Sequence, residues 1–194
     1  YTFGGAGVDT EFDGVSKDGS TGNTGITKTG TGALMLTGNT SSYTGPTTIN
    51  QGSLIWVTGG SCSNSVVTVA ASSGSSAILG VLATSNTQAW TCASLTVNNA
   101  GVGSDLDFNF GTVTPGTTVA PLQVLGAATF TTTPVVTVEL SGSVALTIGA
   151  QYPLIMWGSI AGGANTNVTF KARGERGHLL VSGSTLYLVV DSAV

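Results

Sequence analysis

Carboxylates, two cysteines and one histidine are the residues of this chain with chemistry to offer, and they are few. Asp105 and Asp107 alternate within Ser104-Asp-Leu-Asp-Phe-Asn109, so both side chains leave the same face of a strand. Paired carboxylates cleave glycosidic bonds when they face each other across a cleft and one is kept protonated. Two neighbours on one strand span no cleft, and a turn with an exposed ladder is the plainer reading. Asp9, Glu11 and Asp13, followed by Gly14 and Asp18, imitate the first half of a calcium loop. The twelfth position counted from Asp9 is Ser20, however, where such loops need a bidentate glutamate. His178, the only histidine, lies in Arg173-Gly-Glu-Arg-Gly-His178, and no G-x-S-x-G elbow presents a serine to it. A solvated loop with Glu175 paired to an arginine is expected there; the alternative is a polar contact patch built from Lys171, Arg173 and Arg176. Cys62 and Cys92 have neither C-x-x-C spacing nor a partnering histidine, which argues against a metal or redox pair. No catalytic, cofactor or metal site is expected, and the chain reads as a non-enzyme.

Aromatic side chains offer a second route, by stacking on sugar rings. Trp56 and Trp157 sit beside apolar strand residues and read as core or cap. Trp90, in Thr87-Gln-Ala-Trp-Thr91, is the candidate for glycan contact, against the competing reading that it packs beside Cys92.

The elements that would carry these residues are all β. Apolar residues alternate with Thr or Ser at period two, glycines interrupt every few residues, and nothing sustains a helical period. From Ile26 to Trp56 three short runs, Ala33-Leu-Met-Leu36, Pro46-Thr-Thr-Ile49 and Ser53-Leu-Ile-Trp56, are separated by turn signals at Gly30, Gly32, Gly38, Asn39, Gly45, Asn50 and Gly52. Hydrophobic-polar-hydrophobic triplets follow: Val67-Thr-Val69, Leu95-Thr-Val97, Leu122-Gln-Val124, Val136-Thr-Val138 and Leu146-Thr-Ile148. Each points two side chains inward and the middle one out. The first two intervals, 67 to 95 and 95 to 122, are 28 and 27 residues, a plausible coil length. A parallel β-solenoid of one domain over 1–194 is expected, with about seven or eight coils if each takes about 25 residues.

The order of Lys28, Gly30-Thr-Gly32, an apolar strand, Tyr43-Thr-Gly45, Thr47-Thr48 and Gly52-x-Leu54 closely resembles the autotransporter-associated β-strand repeat of secreted bacterial passenger proteins. That resemblance implies a single-stranded right-handed β-helix and export to the bacterial surface or beyond it, without implying a reaction. It is strongest over 26–56 and persists through Ser65-Val-Val-Thr-Val69. It continues into the closing strands of 149–194, namely Gly149–Ile155, Leu179–Val181 and Leu186–Val190 with a loop at Gly162 and Gly163. Residues 1–25 form an N-terminal edge or cap. An antiparallel β-sandwich or jelly roll is the alternative and fits the last fifty residues about as well.

Composition fits that address. Charged residues make up 7% of the chain against roughly 25% in ordinary domains, and about a quarter of it is Ser or Thr. A net charge of -4 with five basic residues excludes the clustered Lys and Arg that nucleic acids and anionic membranes require. No apolar span reaches the roughly 18 to 20 residues of a membrane helix, so no membrane insertion is expected. The start at Tyr1, without Met or a basic and apolar leader, reads as a mature secreted product. With Cys62 and Cys92 at equivalent corners of adjacent coils, a disulfide worth roughly 3 to 4 kcal/mol is expected in an oxidising compartment.

Self-association is the leading functional expectation. Tyr1, Thr2 and Phe3 at one end, and Leu186, Tyr187, Leu188, Val189 and Val190 at the other, are nearly uncharged edges able to add to copies of the chain head to tail or by strand exchange. A structural fibre subunit is thus favoured. The alternatives are an adhesin binding surface polysaccharide and, behind it, a polysaccharide-degrading β-helix enzyme.

Overall fold

Alternation of apolar and hydroxyl residues makes each strand one-sided, and successive strands solve the problem of the bare side by joining two facing sheets in turn. The computed structural model describes residues 1–5, 7–38, 41–98, 103–131, 133–142, 144–162, 167–171 and 175–192, the side chains of 167–171 excepted. Asn39, Gly163, Arg173 and the Lys171 side chain lie outside the described residues. One sheet has nine strands: β1 (Thr2–Phe3), β3 (Ile26–Lys28), β5 (Thr47–Ile49), β7 (Ser61–Ala70), β9 (Trp90–Asn98), β11 (Leu122–Phe130), β13 (Gln151–Gly162), β16 (Thr185–Ser192) and β15 (Arg176–Ser182), in that spatial order. The other has seven, running β2 (Thr10–Phe12), β4 (Ala33–Leu36), β6 (Gly52–Val57), β8 (Ala77–Leu82), β10 (Ser104–Gly111), β12 (Val135–Leu140) and β14 (Asn167–Lys171).

Among β1 to β14, odd-numbered strands pair with odd ones and even with even, and every one of these pairs is parallel. That sequential pairing in two sheets is the topology of a β-solenoid, and the antiparallel sandwich does not describe it. Among the named strands of the described residues, antiparallel pairing enters at the C-terminal closure, where β16 pairs with β13 on one side and β15 on the other.

In-register stacking turns inward residues into continuous columns. Leu34, Leu54, Leu79, Leu106 and Val136 form one in the seven-stranded sheet, and Leu36, Trp56, Val81, Phe108 and Val138 the next. From the other sheet come Ile26, Thr47, Val67, Leu95 and Ala128, then Lys28, Ile49, Val69, Val97 and Phe130. The apolar members are buried and form one hydrophobic cluster between the sheets. Thr47 is tolerated inside because its hydroxyl bonds Tyr43 Oη at 2.8 Å and Ser65 Oγ at 3.0 Å, while Ser65 donates to the Gly45 carbonyl at 2.8 Å.

Two of the triplets sit elsewhere than their spacing suggests. Leu122-Gln-Val124 pairs with Trp90–Cys92, and the true counterpart of Leu95-Thr-Val97 is Ala128-Thr-Phe130, beyond an irregularity in β11. Leu146-Thr-Ile148 lies outside the strands, with Ile148 exposed.

Candidate functional site

Lys28 occupies an inward position between Phe3 and Ile49 in an otherwise apolar column, and is 1% exposed. Its stem runs through the core and its ammonium emerges at the coil corner, donating to the carbonyls of Thr29 at 2.7 Å, Gly30 at 2.7 Å and Gln51 at 3.2 Å. The last belongs to the following coil, so one cation ties two coils. Gly52 sits against this cradle at φ 69°, where an added Cβ would fall 2.4 Å from the Gly30 and Gly32 carbonyl oxygens and 2.8 Å from Nζ. Burial pulls the ammonium's pKa below its usual value, and the nearby Asp9 carboxylate partly offsets this. The sequence showed Lys28 as a repeat position; only its even spacing with Ile26 on β3 signalled an inward side chain.

The carboxylates weighed against a calcium-like or catalytic set are hydrogen-bonded to neighbouring coils. Asp9 Oδ1 accepts from the Ala33 amide at 2.7 Å, Asp105 Oδ1 from the Val135 amide at 3.0 Å, and Glu11 and Asp13 share the Thr37 hydroxyl. Asp18 accepts from the amides of Thr24 and Thr44 and the Thr44 hydroxyl, bonds that hold its pKa below the ordinary 3.8. Among the described residues no group of three or more His, Cys, Asp or Glu could hold a metal ion. Asp107, with Asn109 and Glu139, borders a cleft of about 130 Å³ on the outer face of the seven-stranded sheet, floored by Met35, Ile55 and Leu82. Gly80 opens that cleft, because a side chain there would collide with Ile55.

Cys62 and Cys92 are register partners on β7 and β9, as the corner reading required, yet both are free thiols. The expected disulfide is therefore incorrect. In-register parallel neighbours stand about 4.8 Å apart with Cβ bonds pointing the same way, whereas a disulfide needs Cβ atoms about 3.8 Å apart and sulfurs turned together. Burial pushes the Cys62 thiol up to about 12, against small opposing effects of Tyr43 and Ser65, and pushes Cys92 up too, with Cys62 adding to it.

Trp90 is 1% exposed and stacks on Trp56 across the core, ring centroids 3.9 Å apart and 14° from coplanar. It presents no face to a glycan. Trp157 is likewise buried, edge-on to Phe130. His178 Nδ1 meets Asp191 at 2.9 Å between β15 and β16, and Glu175 is buried with Oε2 lacking a hydrogen-bond partner among the described residues, while Arg173, a candidate for the expected pairing, lies outside them.

The two ends differ. β1 and β2 are each paired on one side, and between them opens a mouth of about 390 Å³ lined by Thr2, Phe3, Val8 and Phe12 over Leu34. Tyr1, Phe3 and Phe12 line up with ring centroids 6.3 and 6.1 Å apart. At the other end Leu186, Leu188 and Val190 are buried and β16 is an interior strand, with Tyr187 and Val189 on its opposite face. The free edge in that sheet is β15, because the turn at Gly183 and Ser184 folds β16 back between β15 and β13.

Residues 26–55 match the model of the passenger-associated-transport-repeat, which associates this segment with autotransporter-type repeat proteins. No curated protein and no solved structure matches the chain.

Proposed function

We propose that this chain is a non-enzymatic structural β-solenoid of an exported, autotransporter-type bacterial protein, and that it associates with copies of itself through its strand ends. The observation that carries the reading is the N-terminal mouth, where two parallel edge strands frame an aromatic patch continuous with the core. An incoming strand would satisfy the open backbone groups of β1 or β2 and cover Phe3 and Phe12. In head-to-tail assembly the surface it meets is β15, with β14 in the other sheet. Sedimentation and electron microscopy of the purified chain test this. Concentration-dependent assemblies, lost in a Phe3→Asp, Phe12→Asp double variant that keeps its β-sheet circular dichroism, are expected. Monomers at high concentration overturn it.

The second reading is an adhesin that binds polysaccharide, favoured by the cleft at Asp107, Asn109 and Glu139 with its apolar floor. Glycan-array binding lost on Asn109→Ala, without turnover of the glycan, distinguishes it.

A further inference from the structure

The outward face of the nine-stranded sheet carries six threonines in one line. Thr2, Thr27, Thr48, Thr68, Thr96 and Thr129 are successive register partners across β1, β3, β5, β7, β9 and β11. Parallel pairing spaces them about 4.8 Å apart. Two residues along each strand a second line runs through Thr29, Asn50, Ala70, Asn98 and Thr131, about 6.6 Å from the first. The ladder bonds of the backbone continue through it, as in Asn50 N to Lys28 O at 2.9 Å and Thr131 N to Val97 O at 3.1 Å.

Three properties distinguish this face from an ordinary hydroxyl-rich surface. Its six threonines are rigidly repeated along one line, because the columns beneath are close-packed and threonine is stiff at χ1, whereas the two hydroxyls of the second line, on Thr29 and Thr131, donate to Phe3 and Val97 carbonyls. Among the described residues none of the six hydroxyls of the first line is taken by a hydrogen bond within the chain, unlike those of Thr24, Thr37, Thr47 and Thr58. It is also uncharged: the one charged residue in these six strands, Lys28, points inward. The seven-stranded sheet, by contrast, carries Asp105, Asp107 and Glu139.

We propose that this threonine face binds ice, its ligand being the lattice of water molecules at a crystal surface. Ionic side chains orient water around themselves and would break such a lattice, so a neutral face matches a neutral ligand. Hydroxyls held at one fixed repeat of about 4.8 Å can join a row of lattice water, while the methyl groups between them confine that water without competing for its hydrogen bonds. Each contact is weak, but the sheet presents them simultaneously and already ordered, so little entropy is lost on binding. A crystalline polysaccharide also presents a regular repeat. Its sugar rings call for aromatic platforms, and the aromatic residues of these strands, Phe3, Trp90 and Phe130, all point inward. One molecule carries the whole ladder, so this proposal stands apart from end-to-end assembly.

The test is the growth of single ice crystals in solutions of the purified 194-residue chain, read as faceting and as a gap between freezing and melting temperatures. The native chain should facet crystals and open such a gap. Thr68→Lys or Thr96→Lys should abolish both with an unchanged melting curve, while Thr137→Lys on the other sheet should leave them intact. The double variant Thr68→Ser, Thr96→Ser, too mild to threaten folding, should narrow the gap. Unfaceted growth in the native chain overturns the proposal, as does full activity in the lysine variants. Binding to microcrystalline cellulose or chitin, lost in the same variants with no effect on ice, also overturns it and assigns the face to polysaccharide.

Discussion

Lys28 shows how a single charged side chain can be placed in a dry column. Its methylene stem replaces the aliphatic residue that Ile49 and Val69 supply in later coils, and its three hydrogen bonds satisfy corner carbonyls of two coils at once. Hydrogen bonds to a charged group are each worth about 1.5 to 3 kcal/mol, less the cost of desolvating the ammonium. Lys28→Met keeps the stem and removes the donors, and should lower the unfolding free energy by about 2 to 3 kcal/mol in urea titrations. Lys17→Met, at an exposed position, should change it by less than about 0.5 kcal/mol. The thiols supply a second residue-scale expectation. A folded pKa of about 12 for Cys62 against an ordinary 9.0 means that folding favours the protonated form. The resulting stability is complete below pH 9 and is lost as pH rises toward 12, because the unfolded chain gains thiolate first. Native protein at pH 8 should therefore resist alkylation at both cysteines until denatured, and reductant should leave its melting temperature unchanged. Rapid labelling of the folded protein would contradict the buried placement.

At the scale of elements, packing decided positions that local pattern left open. The Trp56 and Trp90 stack joins β6 to β9 across the core, so Trp90→Ala should cost about 3 to 5 kcal/mol and shift the denaturation midpoint. An unchanged midpoint would return the indole to the surface. The three runs read in 26–56 were legible because glycine corners and alternation agree there, and β4, β5 and β6 overlie them, while β3 was not read as a strand. The outward threonines of Val67-Thr-Val69 and Leu95-Thr-Val97 were legible for the same reason, and they are directly paired. The next rung was missed because Ala128 and Phe130 flank Thr129 with unequal sizes, while Leu122-Gln-Val124 matched the pattern better. An irregular stretch of β11 between Val124 and Ala128 moved the ladder by more than pattern could reveal. The cysteines show a related limit. Spacing located them correctly as register partners, but bond formation depends on the direction of the Cβ vectors, which spacing does not encode. Leu186–Val190, in β16, was read as an exposed edge because an apolar strand looks the same whether it ends a sheet or is enclosed by a hairpin.

Across the whole molecule, stability is set by contacts between adjacent coils, so opening should proceed from the ends and not everywhere at once. The N-terminal end is the weaker, because β1 and β2 are only two and three residues long and each is paired on one side. Asp18 is a main tie there: its bonds to Thr24 and Thr44 join the segment before β3 to the segment before β5. These bonds need the carboxylate, which is why its pKa is held below 3.8. A depressed folded pKa gives stability that is complete above the unfolded value and disappears as pH falls through the folded one. Hydrogen exchange followed by mass spectrometry should therefore show β1 to β3 exchanging faster than β7 to β11 at pH 7, with the difference widening below about pH 4 as Asp18 protonates. Asp18→Ala should produce the fast N-terminal exchange already at pH 7 and remove most of its dependence on acid. Uniform exchange along the chain, or acid sensitivity unchanged in Asp18→Ala, would mean that the coils open as one unit and that this carboxylate does not hold the end closed.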